Sequence, residues 1–274
     1  KSAKWRPDSS LWMNIKSVSG TDIIDLVIIG EQRSFHGHKY SFGSSSFSFS
    51  QDSVGGLIFY RAVPLPFGYA VKNVNQIEWY LGNIDGSKPR KILDNIPVCA
   101  NCHSFSGNGI LAMDIDYAND KGSYIIANIE DTIQLSFDKI ITWNDFKKED
   151  GVFTYGLLSQ ISPDGRFVLS TVKDRSVFVP VDNLEYSQLF FPIKGIIAVY
   201  DRESRKFYEL QGACDKNFVQ SNPNWSSNST EIIFSRANRY MSSKIDNSEN
   251  VLLKVEDAEE FVSRQKDFKF DLYR

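Results

Sequence analysis

Apolar residues along this chain come in short runs bounded by Gly, Pro, Asn, Asp or Ser, a pattern of buried strands rather than of amphipathic helices. Four runs stand out: Leu57-Ile58-Phe59-Tyr60, Ile110-Leu111-Ala112-Met113, Phe167-Val168-Leu169-Ser170 and Glu231-Ile232-Ile233-Phe234. Each follows an aromatic or apolar residue, a serine and a polar turn. The four turns are Phe49-Ser50-Gln51-Asp52, Phe105-Ser106-Gly107-Asn108, Ile161-Ser162-Pro163-Asp164 and Trp225-Ser226-Ser227-Asn228. The serines stand at positions 50, 106, 162 and 226, so the intervals are 56, 56 and 64 residues. A fixed period decides architecture better than local propensity does.

The turn has a mechanism. In Pro163-Asp164-Gly165 the proline presets φ, the aspartate side chain caps the turn, and the glycine accepts positive φ before the strand begins. Later strands follow within the units, at Gly122 to Ala127, Gly195 to Asp201 and Lys206 to Leu210. Each unit thus supplies about four strands, the content of one propeller blade. The expected fold is all-β: a β-propeller of four-stranded antiparallel blades with at least four repeats, in a single domain spanning 1–274. The repeats fall at approximately 45–100, 101–156, 157–220 and 221–274, and residues 1–44 add N-terminal strands or a partial blade.

Glu256 to Lys266 carries Ala258, Phe261 and Val262 near helical spacing and predicts a short surface helix. Phe268 to Arg274 alternates as a strand. Because that strand reads as a continuing repeat, the chain is expected to be a fragment of a larger ring, the alternative being closure by strands between Trp12 and Gly30. The Ser-Pro-Asp-Gly turn followed by an apolar strand resembles the repeat of TolB-type propellers, over roughly residues 45 to 274.

Composition agrees with a pleated fold: 42% hydrophobic and 14% aromatic residues, with 20 Phe and 12 Tyr. The formal net charge of -3, without a long Lys/Arg run, offers no footprint for a nucleic-acid backbone, so nucleic acid is not an expected partner. No apolar stretch approaches the ~20 residues that span a bilayer, and the run from Ile23 to Gly30 is broken by Asp25.

The chain holds three cysteines and three histidines, and Cys99-Ala100-Asn101-Cys102-His103 takes half of them. This spacing puts two thiols under the vinyl groups of a haem and the adjacent imidazole on its iron. The expectation is one covalent haem c, with thioethers at Cys99 and Cys102 and His103 as proximal ligand and metal ligand. A redox disulfide would want a βαβ context, and a zinc site a second paired motif; neither is visible. The stretch from Pro97 to Lys121, with Phe218-Val219-Gln220-Ser221 before Trp225 and the segment Phe59 to Pro64, is similar to bacterial TolB-type propeller proteins with a cytochrome c signature. That resemblance implies a haem and an exported, periplasmic or otherwise extracytoplasmic location, and no substrate. As residue 1 is Lys, an export signal or membrane anchor upstream is expected.

The repeat places the pentad in the loop entering the second unit's first strand. The matching loop of the first unit, Arg33 to Ser46, holds His36-Gly37-His38 and is expected on the same face. His38 and His36 are therefore candidates for the distal haem ligand, with Met113 as a competitor that serves equally well as core, and Met13 and Met241 behind it. Asp114, Asp116 and Asp120 form a weak calcium candidate without a full calcium loop. Cys214 reads as a buried small hydrophobe. Hydrolase and phosphate-loop motifs are absent. Three functions follow: a non-enzymatic electron carrier that meets redox partner proteins or a larger membrane-associated assembly, a TolB-like binding or scaffold propeller whose haem is structural or absent, and a haem enzyme with an open iron position.

Overall fold

The repeated serine closes a hairpin at 106, 162 and 226. The computed structural model describes residues 6–52, 55–84, 88–96, 100–129, 133, 136–179, 189–240, 252–253, 256, 259, 263 and 269–274. Strand β1 (Ile24–Ser34) pairs with β2 (Gly37–Phe47), and β3 (Leu57–Ala62) with β4 (Glu78–Asn83) and β5 (Arg90–Leu93) forms a second sheet. A four-stranded sheet follows, of β6 (Ala100–Phe105), β7 (Ile110–Ile115), β8 (Ser123–Asn128) and β9 (Ile140–Thr142). The next strands are β10 (Leu157–Ile161), β11 (Phe167–Val179), β12 (Leu189–Asp201) and β13 (Lys206–Glu209). The last are β14 (Phe218–Trp225), β15 (Ile232–Asn238), β16 (Leu252–Leu253) and β17 (Asp271–Tyr273). Among the described residues, helices α1 (Ser9–Ser19) and α2 (Phe67–Lys72) accompany a mostly β chain of several antiparallel sheets.

Ser106 joins β6 to β7, Ser162 joins β10 to β11, and Ser226 joins β14 to β15. In each turn the serine hydroxyl accepts the N–H that opens the following strand segment: Ile110 at 3.0 Å, Phe167 at 2.9 Å and Glu231 at 2.9 Å. The same hydroxyl donates to the side chain two residues on, Asn108, Asp164 or Asn228. The serine N–H answers across the hairpin, to Ile110 O at 3.0 Å, Phe167 O at 2.7 Å and Glu231 O at 2.9 Å. Ser50 keeps the local half of the device, bonding Asp52 through both its side chain and its N–H. Neighbouring turns also touch one another: Gly107 N donates to Pro163 O at 2.6 Å, and Asp164 N to Ser229 Oγ at 3.1 Å.

The expected single domain divides by its contacts into two compact units, Lys1–Leu57 with Asn83–Asp85, and Ile58–Gly82 with Gly86–Arg274. In the first unit, Asp8 caps α1 by accepting from Leu11 N, and Trp12 stacks on Phe47 and meets Phe49 edge-on. The segment Arg33 to Ser46, expected as a loop, is instead most of a hairpin. Phe35 and His36 form its two-residue tip and Gly37 takes φ +120°, so the strands on either side pair residue for residue from Ile24↔Phe47 to Ser34↔Gly37.

In the second unit, strand alternation sorts side chains into separate cores. Leu111, Met113 and Ile115 of β7 pack with Trp79 of β4 and Ile92 of β5, whereas Ile110 and Ala112 of the same strand pack with Val168 of β11 and Ile196 of β12. Leu169 of β11 and Val199 of β12 pack in turn with Phe234 of β15. The sheets are therefore covered on both faces, which explains why their strands read as continuous apolar runs. Strand β17 falls within the predicted Phe268 to Arg274; most of Glu256 to Lys266 lies outside the described residues.

One glycine is required by both its conformation and its surroundings. Gly156 has φ +65°, and a Cβ there would sit 2.0 Å from Cδ1 of the buried Trp143. Gly156→Ala should cost about 2 to 4 kcal/mol, read by denaturant unfolding, because strain and overpacking act together.

A second prediction concerns pH. Asp174 of β11 is buried; it accepts from Thr154 Oγ1 at 2.5 Å and Tyr155 N at 3.1 Å, and its Oδ2 has no partner. Burial pushes its carboxyl up to about 6 despite those two donors. The folded state thus holds a proton that the unfolded state releases above an ordinary value near 3.8, so stability falls as pH rises from there to about 6 and levels off beyond. Asp174→Asn should remove a share of that fall on the order of 2 to 3 kcal/mol in pH-dependent unfolding curves.

Candidate functional site

The pentad ends inside a strand. Cys102 and His103 belong to β6 rather than to a loop before it, and Cys99 lies outside the described residues. Pairing with β7 runs Ala100↔Ile115 and then His103↔Met113, so one extra residue is accommodated between them. Such a bulge re-aims side chains. Beyond it, His103 and Phe105 turn toward Phe59 of β3, with ring centroids at 4.6 Å and 5.4 Å. Ser104 turns the other way, where its Oγ accepts from Ile161 N at 2.9 Å. Alternation sends Cys102 to that same side, toward Tyr124 and Asp114.

His103 is half-buried. Its Nδ1 lies 3.3 Å from Asn101 O, and Arg61 of β3 donates through Nη1 to Ala100 O at 3.0 Å. Burial, aided by the Arg61 charge, holds the imidazole below its ordinary value against the Asn101 and Phe59 carbonyls, so the ring is neutral at pH 7. Beneath the bulge, burial pushes Asp114 up to about 7, the Asp116 charge adds to this, and the Cys102 N–H and the Arg61 charge oppose it. Asp114 Oδ1 is buried without a hydrogen-bond partner. The bulge therefore separates two environments: a neutral imidazole among aromatic rings on one side, and a thiol near a carboxyl that titrates around neutrality on the other.

The other expected ligands belong to different elements. His36 and His38 are exposed in the first unit's hairpin, where Glu31 Oε1 lies 2.6 Å from His38 Nδ1. Met13 is exposed on α1, and Met241 lies outside the described residues. Met113 is fully buried beside His103 on the neighbouring strand. Directly opposite residues of an antiparallel pair project side by side and do not face each other across a gap, so the Met113 sulfur belongs to the core. Asp116 pairs with Lys121, and Asp120 accepts from Gly122 N at 2.9 Å and Asn144 Nδ2 at 2.7 Å. Among the described residues no three metal-ligating side chains come together, at Asp114, Asp116 and Asp120 or elsewhere. Cys214 is half-buried between β13 and β14.

Sequence reasoning missed Arg61 as the charge beside the pentad. The signal lay in Phe59 to Ala62, whose alternation puts Phe59 and Arg61 on one face of a strand.

No protein-family model matches the chain, and no curated protein matches it either. Among solved structures it is similar to TolB from Acinetobacter baumannii, at 10% identity and a TM-score of 0.38, over 84% of this chain and 55% of that one. It is also similar to a Bacteroides ovatus protein named for dipeptidyl aminopeptidase IV, at 12% identity and a TM-score of 0.27, over 60% of this chain. The chain spans about half the length of the first and a quarter of the second.

If Met113 is core, its shape matters more than its sulfur. Met113→Leu should cost less than about 1.5 kcal/mol, whereas Met113→Ala should cost about 2 to 5 kcal/mol, both measured by chemical denaturation.

Proposed function

We propose that the pentad carries one covalent haem c, bonded through Cys99 and Cys102 with His103 on the iron, and that the chain is an extracytoplasmic electron carrier on a β-propeller scaffold. The observation that supports this is the concentration of half the chain's cysteines and histidines in one pentad whose described end sits at a bulge, where the half-buried His103 meets the buried Phe59 ring and the exposed Phe105 ring. The face-to-face packing of successive antiparallel sheets, each opened by the same serine turn, supports reading them as blades.

The donor set is that of a covalent haem. The strand imposes one condition: Cys102 and His103 leave opposite faces of β6, so a single ring reaches both only when the bulge turns Cys102 to the His103 side. That change is confined to the two residues already out of register. Bound there, a haem supplies one-electron transfer. The chain supplies a neutral imidazole, the Phe59 and Phe105 rings that exclude water beside it, and the Arg61 charge nearby. Redox proteins or a larger membrane-associated assembly are the fitting partners, and attachment of haem outside the cytoplasm is the source of the proposed location.

Produced in a bacterial host that carries haem-attachment machinery, the protein should retain haem stain on a denaturing gel. The stain should persist in Cys214→Ser and vanish in Cys99→Ala/Cys102→Ala, and Met113→Leu should leave the absorption spectrum unchanged. Absence of stain, while a control cytochrome from the same cells stains, would overturn the proposal.

A further inference from the structure

The first unit keeps one long strand edge uncovered. Strand β1 bonds β2 along one side, and among the described residues no strand lies along its other side. The pair nearest the hairpin tip, Ser34↔Gly37, flanks only Phe35 and His36, so it is a hydrogen-bonded pair. Bonds to β2 therefore fall on the even-numbered residues of β1. Asp25, Val27, Ile29, Glu31 and Arg33 present their N–H and C=O groups outward instead.

Such an edge is a template for another strand, and a lone two-stranded hairpin is marginal in water. The usual protections are missing. Strand β1 pairs with β2 over 11 residues without a register shift, contains no proline, and carries no charge from Leu26 to Gly30. On the face of the odd-numbered residues, Ile29 is 70% exposed and stands beside Phe42 of β2, itself 83% exposed. Covering both takes a wider sheet.

The β1 edge is complementary to itself. Two copies laid antiparallel about a two-fold axis overlap along their full length only when Ile29 faces its own copy, because Ile29 is the middle residue of Ile24–Ser34. In that register Asp25 meets Arg33 of the second copy and Val27 meets Glu31, and both pairings recur across the axis. Directly opposite residues are neighbours on one face, so each end brings opposite charges together. Asp25 accepts from Ser46 Oγ at 2.6 Å and Arg33 Nε lies 3.0 Å from Glu31 Oε2, which keeps both side chains along that face.

Neighbouring registers lose this match. Outward groups must meet outward groups, so a slip moves each pairing by two residues. One direction sets Asp25 against Glu31, and the other carries Asp25 past the strand end. Strand β2 offers no such choice, since Lys39 is its one residue with a fixed charge and a copy of β2 laid on it gains no ion pair.

We infer that β1 is a self-recognition edge: two copies of this chain join by antiparallel β1–β1 pairing into a four-stranded sheet centred on Ile29. Phe42 and Ile29 of each copy then form one apolar row across the four strands. Exposed ion pairs add little affinity, so Asp25 and Arg33 choose the register, while main-chain bonds and the apolar row hold the copies together.

Sedimentation equilibrium of the full chain at low ionic strength tests this, and a reversible monomer–dimer equilibrium is expected. Asp25→Lys puts a like charge opposite Arg33, and Arg33→Glu puts one opposite Asp25, at both ends of the pairing. Each variant alone should dimerise about ten-fold more weakly or worse. Mixed together, the two variants restore opposite charges at both ends and should form a one-to-one heterodimer, identified by native mass spectrometry, with affinity close to that of the unaltered chain. A chain that stays monomeric, single variants that dimerise as well as the unaltered chain, or a mixture that forms no heterodimer would each overturn the inference.

Discussion

A serine hydroxyl that bonds in two directions holds this architecture together. At 106, 162 and 226 it accepts the N–H of the residue that starts the return of the chain and donates to an Asn or Asp inside the turn. One side chain thus fixes both the turn and the register of the strands leaving it, and a register slip would exchange the two faces of each strand. Since β7 and β11 bury different residues in cores on their two sides, the position of each core depends on that turn. The bonds between neighbouring turns, Gly107 to Pro163 and Asp164 to Ser229, extend the constraint from one hairpin to the next.

The β-rich character of the chain was legible because its signal is local and repeated. Serine spacing, turn chemistry and apolar runs each lie within a few residues, and together they located β13, most of β3, β7, β8 and β12, and the first residues of β11 and β15. The first hairpin was harder to read: Ile24–Ser34 and Gly37–Phe47 carry exposed residues on both faces, so their alternation is not enforced by burial, and Arg33 to Ser46 resembled a loop. The division into two units was likewise invisible, because it depends on which contacts form and not on composition.

The candidate site was legible in its chemistry and not in its geometry. Cys-x-x-Cys-His names a set of ligands, but whether His103 precedes β6 or lies in it is decided by pairing with Met113 across the sheet, which no local motif records. That pairing also turns Met113 from a ligand candidate into core. Cys102 lies toward the start of β6, away from the serine turn that closes its hairpin.

The central claim is that the bulge at the start of β6 yields to a covalent haem. Intact-mass spectrometry of the protein purified under denaturing conditions, from a host competent for haem attachment, tests it most directly. The account predicts a mass greater than that of the polypeptide by one haem, assigned by peptide mapping to Cys99 and Cys102. A polypeptide of unmodified mass from cells that load a control cytochrome would contradict it.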